Sequence, residues 1–403
     1  MSLIERFADL AVRVGANVQP GQGVVVRSDT SHLEIARAVT EAAYRAGASW
    51  VEVEWNDPLI RRSAVTHAGL DALKASRGWA LRRIQEWREQ GVALITLSGD
   101  ADPHLFDGLD PVKVAAQPTD ELRELRKNLI SGNIRWTIVA APNPGWATQI
   151  FGEPDVERLW EAVATAMRLD EDDPVAAWTE RSATLAGRAR RLDALDLSEI
   201  RYVGEGTDLT VGLIPGCCWT GGGGADPSGV VYLPNLPTEE VFTSPDRTTA
   251  EGRIRLTKPV VVAGQLVTGL EVTFHDGAIT DVRADSGADV VRAQLDSEPG
   301  ARHLGEVSLV DRDSRIARSG LVFHNTLFDE NAGCHVAWGQ GFAFAVPGGD
   351  AMTPEQLFER GLNQAGVHTD VVIGGAGITV TGRGPGGTVE ILRDDEWVLA
   401  DAG

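Results

Sequence analysis

Hydrophobic and polar residues follow two different periods along the first 150 residues. Ile4, Phe7 and Leu10 recur at the spacing of one helix face, and this pattern ends at Gly15. Other segments have the apolar character of short strands, and they occupy residues 24–26, 50–55, 93–97 and 136–140. Because helical segments separate these strands, the pattern predicts right-handed βαβ units on a parallel sheet.

A different pattern begins after residue 200. Residues 154–193 still predict two helices, but farther along the glycines multiply. Residues 253–256 and 270–274 alternate apolar with polar side chains, as half-exposed strands do. The predicted fold class is therefore α/β and α+β in two domains. An N-terminal parallel-sheet βαβ domain would occupy residues 1–190, and a β-rich α+β domain would occupy residues 191–403.

Composition and net charge exclude some classes of function. The chain of 403 residues is 43% hydrophobic and 24% charged, which is ordinary for a globular protein that folds without metal or disulfide. The formal net charge of −21 argues against a nucleic-acid partner, since no excess of lysine and arginine would neutralise phosphates. The acidic surface either favours a cationic partner, such as a metal ion or a peptide α-amino group, or merely keeps the protein soluble.

The cysteines and the N-terminal residues indicate a cytoplasmic protein. Only Cys217, Cys218 and Cys334 occur, which is neither a disulfide framework nor a CxxC zinc pattern and so indicates a reducing compartment. Glu5 and Arg6 lie where a signal peptide would need an apolar core. No apolar run approaches the roughly 20 residues that span a bilayer, so we expect no membrane partner.

Histidines that could hold a metal ion concentrate in the second half of the chain. Five of the eight lie beyond residue 270. His368 and Asp370 precede the apolar residues 371–373, and side chains two apart on a strand point to the same face. This pair would suit two ligands of one divalent ion. The alternative is a surface pair that shares a hydrogen bond.

Two glutamates and one polar segment are further candidates for a site. Glu306 interrupts an apolar strand, so it either faces solvent or is buried with a partner, because an unpaired buried charge is very costly. Glu240 follows Pro237, which indicates a loop or a capped turn. His335 comes after the dense polar segment 325–331, which is typical of a loop beside a site.

Ordered segments along the chain carry a resemblance to one known family. They are residues 135–142, 235–243, 305–307, 319–331 and 363–370. Over essentially its whole length the chain resembles the thermophilic-type metalloaminopeptidases, the aminopeptidase T and aminopeptidase S family (peptidase family M29). The resemblance implies an enzyme that removes N-terminal residues from short peptides, with its metal site in residues 191–403. It also implies a homodimer.

The resemblance implies that the metal ligands are Glu240, Glu306, His335, His368 and Asp370. Glu239 is expected to be an exposed neighbour, because Glu240 directly precedes the Val-Phe-Thr of the shared segment. Nitrogen and oxygen ligands without thiolate suit zinc, cobalt or manganese. Five ligands exceed what one catalytic zinc normally uses, so we expect two divalent ions that share a bridging carboxylate.

Glu306 is the expected catalytic residue. It would orient the attacking water or carry the proton of that water to the leaving amine. A tight bridging ligand does not easily serve as a free base as well, so the division between these two roles stays open.

One position departs from the family pattern. A tyrosine stands seven residues after the ligand histidine in the family, where it can donate a hydrogen bond to the tetrahedral intermediate; here that residue is Phe342. Losing such a donor costs roughly 10²–10³ in rate. His324 stands where the family often has an aromatic residue, and it either compensates or packs nearby. His324, Phe342, Asp329 and Glu330 are the residues expected around the ligands.

Two alternatives to an active aminopeptidase stay open from the sequence. A catalytically weakened relative could bind metal and peptide without efficient turnover, since Phe342 lacks the hydroxyl. A metal-assisted hydrolase of a non-peptide amide could use the same scaffold.

Overall fold

The computed structural model describes residues 1–99, 101–102 and 104–400, which form two compact units. The first unit contains Met1–Thr179 and Gly223–Pro237. The second contains Glu180–Gly222 and the chain from Thr238 onward. The division into one domain of residues 1–190 and one of residues 191–403 stays a prediction.

Side-chain caps mark the start of several helices. Ser2 and Glu5, for example, form a reciprocal capping box at the first helix, whose buried face includes Phe7 and Leu10. The pattern predicted up to Gly15 continues past this helix as a π-helical turn. The helices are α1 (Leu3–Leu10), α2 (Leu33–Arg45), α3 (Pro58–His67), α4 (Leu70–Lys74), α5 (Gly78–Gln90), α6 (Pro111–Ala115), α7 (Thr119–Ile130), α8 (Pro144–Phe151), α9 (Val156–Ala166), α10 (Pro174–Asp193), α11 (Ala288–Leu295), α12 (Arg315–Ser319), α13 (Thr326–Asp329) and α14 (Pro354–Glu359).

The strands are few in the first part of the chain and dense in the second, as the change of pattern near residue 200 predicts. They are β1 (Gly23–Asp29), β2 (Trp50–Asn56), β3 (Ala93–Ser98), β4 (Arg135–Ala140), β5 (Glu199–Gly204), β6 (Thr207–Gly212), β7 (Thr220–Gly221), β8 (Gly224–Ala225), β9 (Val231–Tyr232), β10 (Asn235–Leu236), β11 (Glu240–Thr243), β12 (Glu251–Arg255), β13 (Val260–Val262), β14 (Gln265–Val267), β15 (Glu271–His275), β16 (Ala278–Arg283), β17 (Leu304–Val310), β18 (His335–Gly339), β19 (His368–Val372), β20 (Thr379–Gly384), β21 (Gly387–Arg393) and β22 (Glu396–Trp397).

The first unit is built on a parallel sheet with the order β10-β4-β3-β1-β2. Each neighbouring pair is parallel, and the strands alternate along the chain with helices, so the predicted βαβ architecture is confirmed. Val24, Val25 and Val26 are fully buried in β1, as expected for a strand covered on both faces. The two-residue edge strand β10 is too short to leave a periodic signal in the sequence.

The second unit contains two larger sheets, one of five strands in the order β19-β18-β17-β11-β7 and one of eight strands in the order β16-β15-β12-β6-β5-β20-β21-β22. Both sheets contribute to a single hydrophobic core, which includes Tyr202 and Ile254 from the eight-stranded sheet and Val307, Val336 and Val371 from the five-stranded sheet. The predicted β-rich α+β architecture is confirmed. The other face of the five-stranded sheet does not contribute to this core, so it can carry polar side chains.

None of the helices in the described part of the chain combines the length and the hydropathy that a bilayer crossing needs.

Candidate metal centre

Four adjacent strands of the five-stranded sheet bring together the residues expected to bind metal. Antiparallel pairing joins β11 to β17, β17 to β18 and β18 to β19. In this register Glu306 lies opposite Ala337, and Ala337 lies opposite Asp370. The middle position of this row is therefore a methyl group, which leaves space between the two carboxylates.

Strand alternation separates the core face of this sheet from its polar face. Val307, Val336 and Val371 are buried in the hydrophobic core. Because successive side chains on a strand point to opposite faces, their neighbours Glu306 and His335 project from the other face. The predicted pairing of side chains two apart on one strand holds for β19, where His368 and Asp370 share a group.

The strand that carries Glu306 begins with an irregular register. The pairing of β17 with β18 shifts between Leu304 and Glu306, so Gly305 forms a bulge. A Cβ atom at Gly305 would collide with the backbone oxygen of Gln340. Glycine is thus required for the close approach of the two chains, and the bulge aims the next side chain, Glu306, across the polar face.

Glu240, Glu306 and His335 form a buried group whose potential ligand atoms all lie within 4.8 Å of one another. The Nε2 atom of His335 is 3.1 Å from Glu240 Oε2 and 3.7 Å from Glu306 Oε1. The side chain of His335 is only 1% exposed. Glu306 is therefore buried with a partner, which is one of the two outcomes that its apolar surroundings allow.

Glu306, His368 and Asp370 form a second group of the same size. The Nε2 atom of His368 is 3.2 Å from Glu306 Oε2 and 3.2 Å from Asp370 Oδ1. The side chain of His368 is 28% exposed, so this group opens to solvent. Glu306 belongs to both groups, with one carboxylate oxygen towards each histidine.

Hydrogen bonds from neighbouring groups hold these side chains in place. Ser308 Oγ donates to Glu240 Oε2 at 2.8 Å. The Nδ1 atom of His335 lies 3.4 Å from the Gly333 carbonyl oxygen, and that of His368 lies 2.8 Å from the Gln340 carbonyl oxygen. Such contacts fix the ring orientation and the tautomer of histidines that bind metal.

Burial and mutual charge determine the protonation of the cluster. Burial raises the pKa of Glu240. Burial also acts to raise the pKa of Glu306, but hydrogen bonds and charges from His335 and His368 outweigh it and lower that pKa to about 2. Burial acts to lower the pKa of both histidines, yet the carboxylates raise the pKa of His335 well above its ordinary value and that of His368 to about 11.

The donor set fits a divalent metal ion. A carbonyl oxygen only accepts hydrogen bonds, so the contacts at Nδ1 require a proton on that atom of each ring. Each Nε2 atom then faces carboxylate oxygens, and a neutral ring would direct its lone pair at them. A cation between the two satisfies both. Carboxylate oxygen and imidazole nitrogen without thiolate are suitable ligands for zinc, cobalt or manganese.

Glu239 and Glu240 lie in surroundings that differ from those expected from the sequence. Glu240 is the first residue of β11 and not part of a loop, because its backbone pairs with β17. The expectation that Glu239 is exposed was wrong. Glu239 is fully buried, and its carboxylate accepts a hydrogen bond from Arg181 Nε at 2.6 Å. Strand alternation places the two carboxylates on opposite faces, which explains why only Glu240 joins the cluster.

Phe342 lies beside the exposed group. Its ring centroid is 5.3 Å from that of His368. It also stacks on Phe344 at 5.1 Å and meets Phe242 edge to face at 5.5 Å. These three half-buried phenylalanines, which we call the aromatic wall, border the cluster on the side of His368. His324 has a left-handed backbone with φ of 53°, and within the described residues no hydrogen bond or ion pair joins it to the cluster.

Asp329 and Glu330 lie in the same segment but have different surroundings. The two carboxylate oxygens of Asp329 accept the backbone N–H groups of Phe323 at 2.7 Å and Asn325 at 3.0 Å, so Asp329 holds the loop. The pKa of Glu330 is raised well above its ordinary value by burial, and next by the charge of Asp370. Glu330 therefore lies near the cluster, whereas Asp329 fixes the backbone of the loop that contains it.

Several supporting residues escaped the sequence analysis. Ser308 carried a usable signal, since it stands two residues after Glu306 on a buried strand and must share its face. Asn331 accepts the backbone N–H of Glu239 at 2.6 Å, and Arg181 pairs with the same residue from 58 positions away. No local pattern in the sequence marks contacts of this kind.

Comparisons with known proteins identify the family of the chain. The family model described as thermophilic metalloprotease (M29) matches residues 1–397. Aminopeptidase T from Thermus aquaticus is 38% identical and aminopeptidase 2 from Geobacillus stearothermophilus is 36% identical, each over 98% of both chains. The solved structure of wild-type AmpT from Thermus thermophilus is 36% identical with a TM-score of 0.90, covering 98% of this chain and 99% of that one. The predicted family and the predicted metallopeptidase class are confirmed: the chain belongs to the thermophilic metalloprotease (M29) family.

Proposed function

We propose that this chain is a metal-dependent aminopeptidase that hydrolyses the N-terminal residues of short peptides at a two-metal site. The observation that carries the proposal is the position of Glu306, which directs one carboxylate oxygen towards His335 and the other towards His368. A carboxylate shared in this way between two ligand groups suits a bridging ligand. The names of the relatives, all aminopeptidases, support the activity.

Each ligand group would hold one divalent ion. Glu240, Glu306 and His335 would bind the buried ion, and Glu306, His368 and Asp370 would bind the ion at the open side. Zinc, cobalt or manganese suits these ligands. Ions bound in such pairs lower the pKa of water and polarise the carbonyl group of the substrate.

Glu306 is the proposed catalytic residue. Its carboxylate lies between the two ligand groups, where it would accept a hydrogen bond from the attacking water and orient it. The alternative role is to carry the proton of that water towards the leaving amine, which requires that one carboxylate oxygen is not held tightly by an ion. Ser308 holds Glu240 and the Gln340 carbonyl holds His368, so the ligand groups keep their positions while the substrate binds.

The substrate would approach from the side of His368. This histidine is 28% exposed, whereas His335 on the other side of Glu306 is 1% exposed. The aromatic wall borders the open side and would provide apolar contacts for a peptide. The substrate backbone would thus meet the open ligand group first.

We also propose that the protein acts in the cytoplasm as a homodimer. All three cysteines are free, which suits a reducing compartment. Sedimentation analysis at micromolar concentration should give twice the mass of one chain. A stable monomer that is fully active would contradict the dimer.

The proposed activity is tested by release of fluorophore from a panel of aminoacyl substrates, before and after metal removal and with Zn²⁺, Co²⁺ or Mn²⁺ added back. We expect turnover only with metal, and none from N-acetylated substrates. Glu306→Gln should lose at least about 10²-fold in kcat. Absence of metal-dependent turnover on every substrate would contradict the proposal and favour a binding protein. Full activity of Glu306→Gln would show that Glu306 is not the catalytic residue.

A further inference from the structure

A groove in the first unit lies at the carboxyl ends of two parallel strands. β1 ends at Asp29 and β2 ends at Asn56, and open parallel sheets bind ligands at this edge. The groove has a volume of about 480 Å³, which is typical of a site for a small molecule. We call it the arginine groove, and it is lined by Arg27, Ser28, Glu52, Glu54, Trp55, Asn56 and Arg83.

Two arginines of this groove rest on one buried ring. The Cζ atoms of Arg27 and Arg83 lie 5.3 Å and 5.0 Å from the centroid of Trp87, which packs in the hydrophobic core of the unit. Trp79 lies 5.4 Å from the same atom of Arg83. Indole rings attract cations, so the two guanidinium groups are held in place before any ligand binds. A ligand therefore loses less affinity to the ordering of these long side chains.

Glu54 joins the two arginines and leaves several of their donors unused. Arg27 Nε donates to Glu54 Oε2 at 2.7 Å, and Arg83 Nη2 lies 2.5 Å from Glu54 Oε1. Both oxygens of Glu54 are thus occupied, whereas each guanidinium group has five N–H donors. In the described part of the chain Arg27 forms no second side-chain hydrogen bond, and the buried Nε of Arg83 forms none. The groove can therefore donate several hydrogen bonds to an anionic group.

Glu52 provides a carboxylate beside these donors. It stands two residues before Glu54 on β2, so both side chains share one face of the sheet. The side chain of Glu52 is 49% exposed, and its one ion pair among the described residues is with Arg83 at 4.0 Å. A contact of this length leaves the carboxylate oxygens available to a cationic group.

The charges of the groove determine which kind of ligand it fits. The two arginines and the two glutamates sum to zero, so a simple anion meets no net positive charge. A zwitterion, in contrast, finds donors for its anionic group and an acceptor for its cationic group in the same groove. Trp55 is 44% exposed and adds an apolar surface.

We infer that the arginine groove binds a free α-amino acid with an apolar side chain. Arg27 and Arg83 would bind the α-carboxylate, because guanidinium groups pair well with carboxylates. Glu52 would accept hydrogen bonds from the α-ammonium group, and Trp55 would contact the side chain. None of these residues belongs to the two ligand groups of the metal centre. The inference goes beyond the proposed function, although that function would release molecules of this kind.

The test is isothermal titration calorimetry of the full chain with L-leucine, first with metal bound and then after metal removal. Two analogues lack one charge each: 4-methylpentanoate has no ammonium group, and 3-methylbutylamine has no carboxylate. We expect leucine binding that survives metal removal, with both analogues about 10- to 100-fold weaker, the range for hydrogen bonds to charged groups.

Two substitutions should remove the two halves of this recognition separately. Glu52→Gln should lower the affinity for leucine to about that for 4-methylpentanoate, and Arg27→Gln should lower it to about that for 3-methylbutylamine. Arg45→Gln, which breaks an exposed ion pair with Glu41 in the same unit, is the matched control and should bind leucine as wild type does. Thermal unfolding of each variant checks that it is folded.

Three results would overturn the inference. One is no leucine binding at millimolar concentration after metal removal. Another is equal binding of leucine and 4-methylpentanoate, which would mean that the groove binds anions only. The third is unchanged leucine affinity in Glu52→Gln and Arg27→Gln, which would place the binding elsewhere. The titration needs neither metal nor hydrolysis, so a chain without peptidase activity would contradict the proposed function and leave this inference standing.

Discussion

At the scale of single residues, the cluster depends on which atom each side chain presents. Glu306 offers two oxygens in two directions, and each histidine has its Nδ1 turned to a backbone carbonyl. The type of residue at each position could be read from the sequence. The orientation of each group could not, because it depends on carbonyl groups such as that of Gln340, which any residue would supply.

Phe342 permits a direct test at this scale. The Phe342→Tyr variant adds a hydroxyl to a ring that already lies 5.3 Å from the His368 ring. If this ring faces the reacting atoms, the new donor should raise kcat by at least about 10-fold, since loss of such a donor costs roughly 10²–10³. Steady-state kinetics on one aminoacyl substrate measures the change.

Phe344→Tyr is the control for this variant, because its ring stacks on Phe342 in the same aromatic wall. It should leave kcat close to the wild-type value. An equal gain from both hydroxyls, or no gain from Phe342→Tyr, would show that position 342 is not where the intermediate forms.

At the scale of elements, the strands were predictable to different degrees. Period-two alternation and apolar runs identified β17 and β19, because one face of each is buried in the core. The same reasoning failed for β11, since Pro237 and Thr238 are turn formers and the strand has only four residues. The burial of Glu239 depends on its ion pair with Arg181. A local sequence pattern cannot predict a partner that is 58 residues away.

Glu239 and Glu240 permit a test at this scale, because their substitutions should affect different properties of the protein. Glu239→Gln leaves Arg181 without its closest buried partner, so we expect the free energy of unfolding to fall by about 3 kcal/mol. Glu240→Gln removes a carboxylate from a crowded negative cluster, so the metal-free protein should keep its stability within about 1 kcal/mol and lose metal affinity. Urea unfolding and metal titration measure both.

A reversal of this pattern would contradict the assignment of the two faces of β11. Glu355→Gln, at an exposed position of α14, serves as the control, and it should change neither unfolding nor metal affinity. Equal loss of metal affinity in Glu239→Gln, without loss of stability, would place Glu239 in the site.

At the scale of the whole molecule, metal binding should stabilise the folded chain. The ligands come from β11, β17, β18 and β19, which are far apart in sequence and meet only in the folded sheet. Because the unfolded chain lacks this site, an ion at about a thousand times its Kd should add about 4 kcal/mol. Thermal unfolding with Zn²⁺ and with chelator measures this difference. Calcium prefers oxygen ligands and should stabilise much less. Equal melting temperatures in all three conditions would contradict a folded-state metal site.

The measurement that tests the central claim most directly is a titration of metal-free protein with Co²⁺, in which bound metal and hydrolysis of an unblocked aminoacyl substrate are recorded on the same samples. A site with two ligand groups joined by Glu306 predicts binding of two ions per chain, with activity rising as the second group fills. Saturation at one ion with full activity would contradict the two-metal site. Binding of two ions without any hydrolysis would contradict the aminopeptidase.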